Sequence, residues 1–142
     1  MIRVPTNHIV RIQNFTVLPT HKITASVKLA DSKNNIWKVE IRDLTNNASF
    51  SRDFLYNSSR LSAEWIVEAP SIQGVITTLA NFRGVTFMNC SATISNTTGA
   101  ISRFPGYQLV LHDSHDLQLV DVSGLNVEGS GFNVTYSMTT TV

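Results

Sequence analysis

The sequence lacks the features that would form a disulfide, attract nucleic acid or cross a membrane. Cys90 is the only cysteine among 142 residues, so neither an intrachain disulfide nor a two-thiol redox motif is possible. Only 15% of residues are charged, and the 11 basic and 10 acidic side chains are scattered, so we expect no nucleic-acid partner. No run approaches the ~20 apolar residues of a membrane-spanning helix, and the first residues lack the apolar core of a secretory signal. We therefore expect neither a membrane span nor a signal peptide in this chain.

The sequence also lacks a sustained helical pattern, because no segment keeps apolar residues at i, i+3, i+4 and i+7 for long. The dominant period is two, in short β-branched or aromatic runs separated by Gly, Asn, Asp and Pro. This pattern predicts an all-β, antiparallel β-sandwich in a single domain that spans residues 1–142. A short helical turn within residues 71–82 is also compatible with the sequence. The predicted strands are 9–17, 22–30, 36–44, 48–55, 63–68, 84–94, 107–112, 117–122 and 131–138.

Two of these strands alternate apolar and polar residues, and the turns beside them are rich in Asp and Asn. The segments 31–35 and 45–47 offer side-chain oxygens that bond nearby backbone and tolerate left-handed conformations. The alternation predicts one core-facing side for each strand. The residues expected on that side are Ile23, Ala25, Val27 and Leu29 in the first strand and Trp37, Val39 and Ile41 in the second.

The segment 62–70 places carboxylates at both ends of a hydrophobic strand. A period of two puts Glu64, Ile66 and Glu68 on one face. At a rise of ~3.3 Å per residue the two glutamates lie about 13 Å apart, too far for the paired carboxylates of a glycosidase. On these residues alone, both glutamates are expected to be solvated surface residues.

The string Ala-Glu-Trp-Ile-Val-Glu at residues 63–68 resembles the signature strand of the glutamic peptidases (the eqolisins, or peptidase G1, formerly grouped as peptidase A4). The segments 15–27 and 37–45 before it, and 85–93 and 131–136 after it, resemble the family's other strands in the same order. Thr20-His21 replaces the family's usual Gly-Asp. The resemblance covers roughly residues 9–138 and corresponds to the C-terminal half of the family's domain.

The resemblance implies a concanavalin-like, two-sheet β-sandwich that is incomplete on its N-terminal side. It implies a glutamic endopeptidase that hydrolyses polypeptides at acidic pH, with Glu68 as the catalytic general acid/base and with neither a cofactor nor a metal. It also implies an extracellular or cell-surface protein.

The segments that resemble the family include no counterpart of its oxyanion-binding glutamine. The chain's own glutamines, which are Gln13, Gln73, Gln108 and Gln118, align elsewhere. We therefore expect this chain to be inactive alone, and either to pair with a separate N-terminal chain or to self-associate through exposed sheet edges.

Two other interpretations remain open. The first is a non-catalytic β-sandwich that serves as a binding or surface module, in which Trp37, Tyr56, Trp65 and Tyr107 could form an aromatic platform for sugars. The second concerns the segment 112–116, where two histidines and two aspartates could contribute metal ligands. A polar hairpin tip accounts for the same residues.

Overall fold

The computed structural model describes the backbone of residues 2–4, 8–10, 12–72 and 74–137, and the side chains of 12–70 and 74–137. Within these ranges the regular structure is almost entirely antiparallel β, as predicted. Contacts group the chain into two compact units, Met1–Leu61 and Ser62–Val142. Each unit is described by itself, and the single domain remains a prediction.

The first unit contains a short hairpin and a three-stranded antiparallel sheet. The hairpin pairs β1 (Ile2–Val4) with β2 (His8–Val10). The sheet has the order β3–β4–β5, formed by β3 (Ile23–Asp31), β4 (Ile36–Asp43) and β5 (Ser49–Leu55). Residues 12–18 form a turn and a loop, so the prediction that the strand 9–17 continues past β2 was wrong for residues 12–17. Arg11 lies outside the described residues.

The turns of this sheet confirm the predicted turn chemistry. Asp31 Oδ1 accepts hydrogen bonds from the backbone N–H groups of Lys33 and Asn34, at 2.9 and 3.2 Å. In the next turn Asn46 Oδ1 accepts one from the Ala48 N–H at 2.8 Å. Asn35 and Asn47 adopt left-handed φ values of 52° and 62°. Short polar side chains therefore close both hairpins locally.

The apolar face of the sheet is more open than predicted. Val27 is 65% exposed and Ile23 39% exposed, so the expectation that these residues are buried was wrong. Trp37 and the other predicted residues of β4 are half-buried, as expected. In the ladder Val27 opposes Val39, and Val39 opposes Arg52. Too few apolar side chains of this unit cover the face of β3 to bury it. Among the described residues, β3 is an edge strand of the sheet.

The second unit contains a three-stranded sheet and two short hairpins. Its sheet has the order β11–β12–β8, formed by β8 (Gly84–Phe87), β11 (Val120–Val122) and β12 (Phe132–Tyr136). The hairpins pair β6 (Ser71–Ile72) with β7 (Val75–Ile76), and β9 (Ser91–Ile94) with β10 (Thr97–Ala100). A 3₁₀ turn, which was not predicted, follows at Ile101–Arg103.

The core of this unit is apolar and partly aromatic. Phe87 and Phe132 stack at 4.8 Å between ring centroids, and Phe82 meets Tyr136 edge-on at 6.1 Å. These aromatic rings surround the buried side chains of the cluster, which are Leu79, Leu119, Val120 and Val134.

Several predicted strands of the second unit are shorter than expected or broken. The strand predicted at 84–94 splits because Asn89 adopts a left-handed φ of 54° and the Cys90 N–H bonds to Ser130 O. The segment 107–112 forms no ladder beyond a single bridge between His112 and Gln118. The strands predicted at 117–122 and 131–138 correspond to β11 and β12, which are shorter than predicted. Met138 lies outside the described residues. Ser71–Ile72 and Val75–Ile76 pair as β6 and β7 instead of forming a helical turn.

Candidate active site

The segment 62–70 is extended but, within the described residues, belongs to no β-ladder, so the strand predicted at 63–68 was wrong as a paired element. Its side chains nevertheless alternate. Glu64, Ile66 and Glu68 are exposed, whereas Trp65 and Val67 are half-buried. The predicted placement of both glutamates on one outward face is therefore confirmed. Val67 and Ala69, which are both half-buried, pack against the core of the second unit and so leave Glu68 between them facing outward.

The two glutamates have different surroundings. Glu64 Oε1 accepts a 3.3 Å hydrogen bond from the hydroxyl of Ser62, two residues away, in a solvent-exposed position. Glu68 lines an apolar groove of about 410 Å³. Only Glu68 therefore combines an exposed carboxylate with a concave apolar surface.

The groove is formed by the chain that follows Glu68. Pro70 O accepts hydrogen bonds from the backbone N–H and the hydroxyl of Thr77, at 3.0 and 2.8 Å, which close the β6–β7 hairpin at its base. The chain then returns through buried Leu79 to β8. The residues lining the groove are Val67, Glu68, Pro70, Thr77, Thr78, Leu79, Ala80, Phe82 and Val85. Of these, sequence reasoning identified only Glu68, since the others come together through the fold of the loop.

Two of the chain's glutamines already use their amide donors. Gln108 Nε2 donates to Val122 O at 2.8 Å. Gln118 Nε2 donates to Val120 O at 2.9 Å and to the carboxylate of Asp121 at 2.7 Å. Gln73 lies outside the described side chains. The Gln118 amide therefore has two acceptors for its two N–H groups, whereas the Gln108 amide uses one of its two.

The segment 112–116 forms the predicted polar hairpin tip. Asp113 Oδ1 accepts hydrogen bonds from the backbone N–H groups of Leu117 and His115, at 2.9 and 2.8 Å, and these bonds lower the pKa of Asp113. Asp116 adopts a left-handed φ of 63° and pairs with His112 Nδ1 at 2.8 Å. Among the described residues, no group of three or more His, Cys, Asp or Glu side chains is arranged to hold a metal ion.

The aromatic residues considered for a sugar platform differ in exposure. Trp37 and Tyr56 pack against each other in the first unit, with ring centroids 6.5 Å apart, and Trp37 Nε1 donates to Tyr56 O at 3.0 Å. In the second unit Trp65 is half-buried and Tyr107 is 97% exposed. Only Tyr107 thus offers a fully exposed ring among these four residues.

The antiparallel fold is shared with a peptidase of known structure. The structure matches the crystal structure of aspergilloglutamic peptidase from Aspergillus niger with a TM-score of 0.74 and 24% sequence identity. The match covers 88% of this chain and 71% of the other. This similarity confirms the predicted all-β sandwich class.

The family follows from the sequence match. The model of the Peptidase A4 family matches residues 2–136, and the chain therefore belongs to this family of peptidases, as its resemblance to the glutamic peptidases predicted. No curated protein matches the chain significantly. In the part of the chain that the structure describes, no helix is long and apolar enough to cross a membrane.

Proposed function

We propose that this chain is a glutamic-type endopeptidase module in which Glu68 is the general acid/base. The observation that carries the proposal is the position of Glu68, which is exposed beside an apolar groove in a chain of the Peptidase A4 family. A glutamic endopeptidase must hold a polypeptide beside its catalytic carboxylate, and the outward face of residues 64–68 offers that arrangement. The substrate is a polypeptide, and the chemistry needs no cofactor.

The carboxylate of Glu68 takes a proton from a water molecule as that water attacks the peptide carbonyl carbon. The proton then passes to the leaving amine nitrogen as the C–N bond breaks, which yields a free acid and a free amine. General acid–base catalysis of this kind typically contributes 10²–10⁴-fold. The tetrahedral intermediate also needs a neutral donor for its oxyanion.

The module is inactive alone in this proposal, because an oxyanion donor must come from another polypeptide segment. The Gln118 amide donates to two acceptors elsewhere and the Gln108 amide donates to one, and loss of one oxyanion donor typically lowers the rate by about 10²–10³. A separate chain that adds strands beside residues 62–70, which have no ladder partner among the described residues, would supply it. We place this chemistry outside the cell or at its surface, a location that suits a peptidase of this family.

The test compares hydrolysis of an unfolded protein by the wild-type chain, Glu68→Gln and Glu64→Gln between about pH 2 and 7. Glu64→Gln is the matched control, since it makes the same change on the same face away from the groove. We expect the isolated chain to hydrolyse this substrate slowly or not at all. Activity restored by a second polypeptide should fall by about 10²–10⁴ in Glu68→Gln and persist in Glu64→Gln. Equal restored rates for the wild type and Glu68→Gln, each measured with the second polypeptide present, would refute the role of Glu68.

A non-catalytic binding module is the second candidate, and the engagement of the Gln118 amide by two acceptors favours it. In that case no added polypeptide restores hydrolysis. Tyr107, which is 97% exposed, is then the residue whose replacement by Ala should lower binding of an oligosaccharide, measured by calorimetry.

A further inference from the structure

Half of the chain's asparagines begin an Asn-X-Ser/Thr triplet. Six of the twelve do so, although only 30 of the 142 residues are Ser or Thr, a content that by itself would give about one in five. No triplet has proline at X, and in each one both the asparagine and the hydroxyl residue are exposed. Such triplets accept N-linked glycans on the surface of secreted proteins. They begin at Asn14, Asn47, Asn57, Asn89, Asn96 and Asn133.

The asparagines outside these triplets have structural roles. All five that the structure describes use their side chains in hydrogen bonds within or between turns and loops. Asn126 Oδ1, for example, accepts from the backbone N–H groups of Ser130 and Gly131 at 2.9 and 3.0 Å. The other four are Asn34, Asn35, Asn46 and Asn81. The fold therefore accounts for asparagine at each of these five positions.

The triplet asparagines have much weaker ties to the fold. Asn47 Oδ1 accepts from Arg42 at 3.4 Å, and Asn133 Oδ1 accepts from Thr86 at 2.7 Å. The four whose side chains make no hydrogen bond within the described residues are Asn14, Asn57, Asn89 and Asn96. Nδ2, the atom that a glycan modifies, is thus unbonded in all six within the described part of the chain. Left-handed φ values account for asparagine at four of these positions, but not for the hydroxyl residue two positions later.

Asn57 and Asn96 lie in segments that extend beyond paired strands. Asn57 is in the loop that follows β5, and Asn96 lies in the turn that joins β9 to β10. Leu55 and Ile94, each two residues earlier, are 80% and 47% exposed. A glycan is bulky and hydrophilic, so at these positions it would shield apolar surface that otherwise favours association.

We propose that this chain carries N-linked oligosaccharides, with Asn57 and Asn96 as the principal acceptors and Asn133 as the poorest. Asn133 lies on β12, which is paired on both sides, and its side chain is restrained by Thr86 of β8. The transfer joins Nδ2 to the anomeric carbon of the sugar, breaks the bond from that carbon to a lipid pyrophosphate carrier, and releases one amide proton. The inference rests on the extracellular location proposed above, not on the role of Glu68.

The test expresses the full chain behind a cleavable secretion leader in a eukaryotic host. All of the expressed chain, secreted or retained, is treated with peptide-N-glycosidase in heavy-oxygen water, and mass spectrometry measures the labelled aspartate formed at each triplet. The chain made in bacteria, treated identically, corrects for spontaneous deamidation. We expect Asn57 and Asn96 to be modified in most molecules and Asn133 in the fewest. Glu68→Gln should give the same pattern, so a failure of catalysis and a failure of glycosylation are distinguishable.

Ser59→Ala and Thr98→Ala should each abolish modification of the asparagine two positions earlier, because they remove the hydroxyl that the triplet requires. The matched controls are Ser58→Ala and Thr97→Ala, which alter only the middle residue of the same triplets and should leave the modification unchanged. Thr98 Oγ1 also lies 2.8 Å from Thr93 Oγ1. Thr98→Ser, which keeps the hydroxyl, should therefore retain the glycan at Asn96.

Unmodified Asn57 and Asn96 in the expressed chain would overturn the inference. Equal modification of all six triplets would also overturn it, since the environment of each asparagine would then have no influence. The glycosylated chain should unfold cooperatively, at a Tm no lower than that of the bacterial chain. A lower Tm would contradict the argument that these asparagines are not needed by the fold.

Discussion

Asp43 is fully buried, yet its surroundings favour the ionised carboxylate. Burial by itself raises the pKa of Asp43, but hydrogen bonds from the backbone N–H of Thr45 and from His21, together with the charge of His21, outweigh it and lower the pKa. The Thr45 N–H lies 2.8 Å from Oδ1, and His21 Nδ1 pairs with Oδ2.

The Asp43 interactions predict a pH-dependent contribution to stability. A lowered folded-state pKa means that the stabilisation is present above the unfolded value of about 3.9 and is lost as pH falls through the folded pKa. Asp43→Asn should therefore lower the Tm at pH 6 by roughly 5–10 °C, and by much less near pH 2.5. Thermal melts followed by circular dichroism measure this, with the exposed Asp53→Asn as the control. An equal loss of Tm at both pH values would contradict the argument.

At the residue scale, the exposed position of Glu68 was predictable from the sequence and the groove was not. The alternation of residues 64–68 is encoded locally, because a period of two needs only extended backbone and an apolar neighbour below it. Leu79 and Val85 join the site through the return of the chain after the β6–β7 hairpin. No spacing rule relates positions 68, 79 and 85, so only the folded loop brings them together.

At the element scale, turns were easier to predict than ladders. The Asp31 turn depends on bonds within a few residues, and the sequence displays every participant. The break at Asn89 depends on a long-range bond between Cys90 and Ser130, which sequence periodicity does not reveal. The segment 62–70 likewise has no ladder partner among the described residues, although its alternating sequence predicted a paired strand.

The loop that meets the 3₁₀ turn depends on one glycine. Gly129 has a φ of +65°, and a Cβ there would lie 2.0 Å from Ser102 Oγ and 2.5 Å from Ser102 Cβ. The backbone N–H of Ser102 also donates to Gly129 O at 3.0 Å. Both the positive φ and the close approach therefore disfavour any side chain at this position.

Gly129→Ala should consequently lower the free energy of unfolding by about 2–3 kcal/mol, through left-handed strain and displacement of Ser102. Gly124→Ala is the matched control, because a Cβ added at Gly124 would have no neighbouring atom within 4 Å, and we expect a change within about 0.5 kcal/mol. Urea denaturation measures both variants. Equal midpoints for the two would show that the Ser102 contact does not constrain the loop.

At the scale of the whole molecule, apolar surface remains open at a sheet edge. In the described part of the chain β3 has a ladder partner only in β4, and its side chains Ile23 and Val27 are 39% and 65% exposed. An edge strand with apolar side chains and free backbone groups promotes pairing with another chain. The same feature suits either a complementing polypeptide or a second copy of this chain.

Self-association is therefore expected for the isolated chain and should depend on β3. Sedimentation velocity between about 5 and 200 µM should show a concentration-dependent rise in mean mass. Val27→Lys should suppress it, because a charged side chain on an edge strand opposes strand pairing. Val127→Lys adds the same charge at a fully exposed valine of the other unit and should not suppress it. Equal suppression by both variants would attribute the effect to net charge. A monomer at all concentrations would show that β3 does not mediate self-association.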